Sequence, residues 1–394
     1  MALPDTPAAY LLGANGPIHA VAYSASPGTY ILTGSSDRQI RLYNPCSPAN
    51  GSSSSSSSSS GNTPTIVGII RNGDQTQAAT AASAAAAPQG RLIQAYAAHG
   101  YEVLSVDVAA DNERFASCGG DRAVFLWDVA TAATIRRFGG NLHGHSSRVN
   151  VVRFAGDPAG GVLASGGFDT TVKLWDCRSG GGGSGGRPIQ SLDEATDSVT
   201  SLVVRGPEVV AGSVDGRVRT YDVRTGKVVV DVLGASVTSL DLTRDGRALL
   251  VGGLGDGGGG VRLMDRDTGS CLRSYTAPGR RNADLRVQAV LGGKEKYVVA
   301  GDESAGDDDN GSGGNGRLWV WDLLTGRVAA KLAVPWGPQG YEGNRRKRAV
   351  GRDGKEKERT NVVSCVAWRD GGWGDQFCVG GTSGVVTVYG NLKQ

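Results

Sequence analysis

The chain repeats one pattern along its length, and that recurrence limits the folds open to it more than any single motif does. One copy ends GGDRAVFLWD at Asp128, the next GGFDTTVKLWD at Asp176 and a third GSVDGRVRTYD at Asp222. Weaker copies end SSDRQIRLYN at Asn44, GGVRLMD at Asp265, NGRLWVWD at Asp322 and TSGVVTVYG at Gly390, which makes seven. The large residue before each ending is, in order, Tyr43, Trp127, Trp175, Tyr221, Met264, Trp321 and Tyr389.

A second pattern precedes each ending. Apolar residues recur at i, i+3 and i+5, as in Ile18, Val21, Tyr23; Val103, Val106, Val108; and Val149, Val152, Phe154. The series continues with Val199, Leu202, Val204, then Val237, Leu240, Leu242, and Val363, Val366, Trp368. Repeat six keeps Val287 and Val290 but has Gly292 in the third place. A step of three followed by a step of two is a strand's period with one extra residue, as a bulge would give. A helix would need i+4 and i+7. Each unit therefore reads as short strands joined by Gly, Asp and Ser turns, and the chain as all-β.

Composition agrees. Glycine accounts for 62 of 394 residues, roughly double the usual share, without the G-X-Y period of collagen. Lys plus Arg is 41 against 38 Asp plus Glu, a formal charge of +3 that argues against a whole-protein basic footprint for nucleic acid. Six cysteines at 46, 118, 177, 271, 365 and 378 form no CxxC pair, and reduced thiols in a cytoplasmic or nuclear protein are expected. The start, MALPDTPAAYLLGANG, lacks the basic and apolar regions of a signal peptide. No apolar run approaches the length of a membrane helix, so no membrane partner is expected. Four inserts stretch the repeats: a Ser/Ala-rich tract at 47–89 with nine serines from Ser52 to Ser60, a Gly/Ser stretch at 178–186, an acidic loop at 302–314 and a basic loop at 336–360. Their low apolar content predicts flexible segments.

The repeat endings and the apolar triplets resemble the WD-repeat family over about residues 8 to 390, apart from the inserts. The resemblance implies a seven-bladed β-propeller of four-stranded blades. Each repeat would supply the outer strand of one blade and three strands of the next, with the N-terminal segment Ala8 to Gly13 closing the ring. Particular segments are similar to the family's kinase-cascade scaffolds: HGYEV from His99, GGDRAVFLWDVAT from Gly119, LWDCRS from Leu174, SLDEATDSVTS from Ser191 and AGSVDGRVRTYDVRTG from Ala211. The inserts and the degraded fifth and seventh repeats depart from that likeness.

His99, Ser117, Asp121 and Trp127 look like the family's structural tetrad, as do His145, Ser165, Asp169 and Trp175. A catalytic triad uses the same residue types, but a set that recurs with the repeat is better read as a buried hydrogen-bond chain joining strands. In repeat four Thr196 or Asp197 stands where the histidine would be, leaving Asp215 and Tyr221 of an incomplete set. His143 and His145 have no Cys or carboxylate cluster beside them, so no metal and no cofactor are expected. Gly255-x-Gly257-x-x-Gly260 spells a dinucleotide fingerprint, but the strand-like VRLMD follows it where a helix would be required. From Arg345 to Arg359 there are eight basic residues against three acidic ones. Arg345, Arg346, Lys347 and Arg348 form a candidate nuclear-import run, weighed against a solvated loop. Direct nucleic-acid binding is not expected, because no aromatic residue is interleaved. Tyr101, Glu102, Arg148 and Phe168, beside the tetrads of repeats two and three, are the candidate partner surface.

The resulting expectation is a monomeric, non-catalytic scaffold of the cytoplasm and nucleus. It would bind protein components of a mitogen-activated protein kinase cascade, with a nuclear role in a pre-mRNA splicing assembly as the alternative.

Overall fold

The computed structural model describes residues 3–48, 88–140, 143–155, 161–178, 186–255, 260–304, 314–338, 341, 349–350, 356–357, 360–369 and 375–392. Seven four-stranded antiparallel sheets follow one another along the chain. Their innermost strands are Ile18–Tyr23, Val103–Val108, Val149–Phe154, Val199–Arg205, Val237–Leu242, Ala289–Gly292 and Val363–Trp368, in blades one to seven.

The apolar triplets locate a bulge in six of these strands. Pairing with the second strand slips between Ile18 and Ala20, Val103 and Ser105, Val149 and Val151, Val199 and Ser201, Val237 and Ser239, and Val363 and Cys365. The extra residue lies between the first and second apolar positions, which turns their spacing from two into three. Blade six, whose sequence breaks the triplet, pairs Ala289–Gly292 with Tyr297–Ala300 without a slip. Gly292 is needed there for space, because a Cβ would sit 2.4 Å from the indole of Trp368 in blade seven.

The ring closes through its two ends. Pro7–Leu11 is the fourth strand of blade seven and pairs antiparallel with Val386–Gly390, with Tyr10 opposite Thr387 and Leu11 opposite Val386. The closing strand therefore ends at Leu11, two residues short of the expected Gly13. Between blades, aromatic and aliphatic side chains fill the wedge. Tyr96, Phe115, Phe125 and Trp127 pack with Leu32 and Val106 between blades one and two. The closed ring turns the innermost strand edge of each blade toward the axis, where it is short and protected.

Alternating strand direction sorts the connections. The turn from second to third strand and the link from outer strand to next blade open on one face, here the front. The other turns open on the back. The acidic segment leaves from Tyr297–Gly301 and returns at Gly316–Asp322, and the basic one leaves from Val328–Val334 and returns at Val363–Trp368, so the strand ends that bound both open on the front. The Ser/Ala tract joins Ile40–Pro48 to Gly90–Tyr96 on the back.

The described ends of the two charged inserts correct the expectation of flexibility throughout. Asp302 is fully buried and accepts a 2.7 Å hydrogen bond from Trp319 Nε1. Glu303 receives the backbone amides of Ala283 and Asp284, both at 2.9 Å, and that of Leu285. Trp336 is buried, and Ala349–Val350 pairs with Glu356–Lys357 in a short hairpin. Burial or hydrogen bonding ties Asp302, Glu303 and Trp336 to the blades, which a count of charged residues does not reveal. Residues 305–313, the Arg345–Arg348 run and most of 47–89 lie outside the described residues.

Candidate interaction face

Blades two and three carry the expected tetrads. His99 Nδ1 donates to Asp121 Oδ2 at 2.7 Å, and His99 Nε2 lies 2.7 Å from Ser117 Oγ. Trp127 Nε1 donates to that same Oγ at 2.8 Å. Blade three repeats the chain through Asp169, His145, Ser165 and Trp175 at 2.9, 2.8 and 2.8 Å. A carboxylate only accepts, so Nδ1 carries a proton in both rings. Burial opposes the charge on Asp169, but the His145 bond and the Ser146 amide outweigh it and hold the carboxyl at about 2. Both serines are fully buried beneath an indole, so neither hydroxyl is presented to a substrate. The chain ties the front turn to the second and third strands, which holds the blade's front loop in one conformation.

Blade four corrects the sequence reading, because its set is not incomplete. Arg219 Nη1 donates to Ser213 Oγ at 3.0 Å and Nη2 to Asp215 Oδ2 at 2.7 Å. Thr196 Oγ1 donates to the same carboxylate at 2.8 Å. Blade one uses the same solution: Arg41 reaches Ser35 at 3.1 Å and Asp37 at 2.6 Å. The signal was present as Arg-x-Tyr in Arg41-Leu-Tyr43 and Arg219-Thr-Tyr221, where the other two blades have an aromatic or Lys two residues before Trp. A buried guanidinium replaces histidine and indole together, since its fork reaches both hydroxyl and carboxylate.

Tyr101, Glu102, Arg148 and Phe168 all reach the front face. Tyr101 and Phe168 are 64% and 50% exposed, well above the level of a packed loop residue. The Arg148 guanidinium lies 4.8 Å from the Phe168 ring centre, and the Phe168 amide donates to the Arg148 carbonyl at 2.9 Å. Stacked in this way, Phe168 stands out from the turn with its ring held in place. Tyr101 and Glu102 hold the equivalent place in blade two, where the Glu102 carbonyl accepts the Gly120 amide at 3.1 Å. A Cβ on Gly119 would lie 1.9 Å from that carbonyl, so only glycine allows this approach. Nearer the axis, burial pushes the His19 imidazole below its ordinary value, with Glu102 opposing and Arg286 adding to the shift.

Among the described residues no group of three or more His, Cys, Asp and Glu is placed to hold a metal ion. No described helix is long and apolar enough to cross a membrane. All six cysteines are free thiols.

Comparison with known proteins follows the same division of the chain. The family pattern described as "WD domain, G-beta repeat" matches residues 6–44, 90–128 and 136–176. The WD repeat domain-containing protein 83 homolog of Dictyostelium discoideum is 25% identical over 81% of this chain and 86% of its own length. WD repeat domain-containing protein 83 of Rattus norvegicus is 37% identical and that of Homo sapiens 33%, each alignment taking in 37% of this chain and 42% of the relative. Seven four-stranded sheets and a ring closed by its N-terminal strand make the chain a seven-bladed propeller, and three of its repeats are similar to those of WD-repeat proteins.

Proposed function

We propose that the protein is a non-catalytic scaffold that gathers components of a mitogen-activated protein kinase cascade on the front face of blades two and three. The carrying observation is the exposed Phe168 ring under the Arg148 guanidinium, on a turn anchored by a buried tetrad. Aromatic and arginine side chains dominate binding energy at protein interfaces, and a pinned turn loses little entropy when a partner docks. Holding several partners on one rigid ring raises their concentration for one another without chemistry by the scaffold. Support for the kinase class comes from the likeness of the segments around His99, Gly119, Leu174, Ser191 and Ala211 to the mitogen-activated protein kinase organiser. The same reading assigns the protein to cytoplasm and nucleus as a monomer, with Arg345 to Arg348 serving import.

The test is affinity purification from separated nuclear and cytoplasmic fractions, with partners identified by mass spectrometry. The bait is the parent or a variant carrying Tyr101→Ala, Glu102→Ala, Arg148→Ala and Phe168→Ala together. Kinase-cascade proteins captured by the parent, and lost from a variant with an unchanged melting temperature, are expected. Splicing proteins in their place would shift the assignment to a nuclear assembly, and full capture by the variant would move the surface elsewhere.

A further inference from the structure

The innermost strands enclose a cavity of about 460 Å³ on the ring axis. Most of the polar groups on its wall link one blade to the next. In blade two, Ser105 Oγ and Asp107 Oδ2 accept the amides of Val152 and Phe154 at 3.3 and 2.7 Å. Blade five repeats the device: Ser239 and Asp241 accept the amides of Ala289 and Leu291 at 3.0 and 2.7 Å. Gln288 Oε1 does the same for the Val366 amide at 3.2 Å. The two wall carboxylates therefore direct acceptor oxygens at backbone amides of the following blade.

Arg286 departs from this pattern. It stands just before the innermost strand of blade six, yet its Nε donates to the Thr238 carbonyl of blade five at 3.3 Å. Its Nη1 donates to the Asn150 carbonyl of blade three at 3.1 Å. The guanidinium thus lies inside the ring rather than against its own sheet. It forms no ion pair with a carboxylate of the described residues, and its Nη2 makes no hydrogen bond with them. Arg153 is the other cation on the cavity wall. Its Nη1 donates to the Val152 carbonyl at 3.2 Å and forms a long ion pair with Asp107 Oδ1 at 3.8 Å. Burial and then repulsion from Arg153 bring the Arg286 guanidinium down to about 10. Two mutually repelling guanidiniums facing one cavity, one with an open Nη2, form an arrangement that a doubly charged acceptor relieves.

We propose that the axial cavity binds a phosphoryl dianion between Arg286 and Arg153, either free phosphate or the phosphate of a small monoester. The donors are the Arg286 Nη2 edge and the Arg153 guanidinium. Asp241 and Asp107 Oδ2 are turned to the amides of Leu291 and Phe154, and only Asp107 Oδ1 faces Arg153, at 3.8 Å, so the dianion competes with that one long ion pair. This site lies inside the ring, apart from the outward-facing Tyr101 and Phe168, and does not depend on the scaffold assignment.

Calorimetric titration of the full chain with inorganic phosphate, and separately with glycerol phosphate, tests it at ionic strength matched with chloride. Saturable binding of at least one is expected, weakened at least about tenfold by Arg286→Gln and by Arg153→Gln. The tighter of the two ligands identifies whether the free ion or the ester is preferred. If Arg286→Gln fails to fold, as a lost strut between blades would cause, Arg153→Gln decides alone. No saturable heat with either ligand would overturn the site, as would affinity unchanged in the folded variants. Binding of a phosphoserine peptide without binding of phosphate or the monoester would place recognition on the front face, and would overturn it too.

Discussion

Blades three and four hold the same front turn in two different ways. In blade three a relay of hydrogen bonds runs from indole to serine to imidazole to Asp169, and the carboxylate at its end is met by hydrogen bonds. In blade four one guanidinium contacts both Ser213 and Asp215, with side-chain exposures of 3% for Arg219 and 8% for Asp215. The first arrangement spreads the polar contact over four side chains, and losing one leaves the others partly satisfied. The second concentrates it in one buried ion pair, where removal of either charge strands the other. Blades one and two show the same contrast, with Arg41 in one and His99 in the other.

The largest expected effect follows from that difference. Arg219→Met leaves Asp215 buried without its cation and should lower stability by about 3–5 kcal/mol. Asp169→Ala removes one acceptor from the relay and should cost about 1–3 kcal/mol, as should Asp121→Ala. Urea unfolding of the three variants measures the gap. Equal losses would erase the distinction between the two arrangements.

Acid titration sharpens it further. Burial opposes charge on Asp37, but the Arg41 and Ser35 bonds outweigh it and hold the carboxyl at about 2, against an ordinary 3.8. Asp169 is held at about 2 by His145, and Asp215 is pushed lower still by Arg219, again against burial. A carboxyl depressed in the fold adds stability above its ordinary value and loses it as pH falls through the folded one. The melting temperature should therefore fall between about pH 4 and about pH 2 as Asp37 and Asp169 protonate. Asp37→Asn should flatten part of that slope while lowering the plateau above it. A variant with an undiminished acid slope would remove Asp37 from the account.

Much of this architecture is written in local spacing. The triplets of Val103, Val106, Val108 and their counterparts encode the bulge because each strand buries one face, so the inserted residue displaces the pattern visibly. Histidine and tryptophan mark blades two and three in the same direct way. The arginine solution was harder to see, since an Arg in a strand reads as a solvated side chain until its serine and aspartate are placed beside it. Asp302 was hidden for a similar reason: it opens an acidic run, yet its partner Trp319 lies 17 residues away. The charge in the axial cavity is least legible, because Arg286 meets Asn150 across the ring at a separation of 136 residues. Contacts of that range arise from closure and have no local spacing of their own.

The smallest effect isolates the turn itself. The residue after the aspartate is left-handed in both blades: Thr170 with φ 65° and Gly216 with φ 75°. A β-branched residue there is strained by about 1–2 kcal/mol, while glycine is at ease. Thr170→Gly should relieve that strain and lose up to about 1 kcal/mol through the freer unfolded chain, for a net gain of about 0.5 kcal/mol. Gly216→Ala introduces the strain, and its Cβ would lie 3.3 Å from the Ala235 amide nitrogen, so it should lower stability. The loss should be about 1–2 kcal/mol. The substitutions thus have opposite expected signs at equivalent positions. If blade three also loses stability with glycine, the His145–Asp169 relay would be absorbing the strain at Thr170, and the two turns would differ in backbone energetics as well as in their side chains.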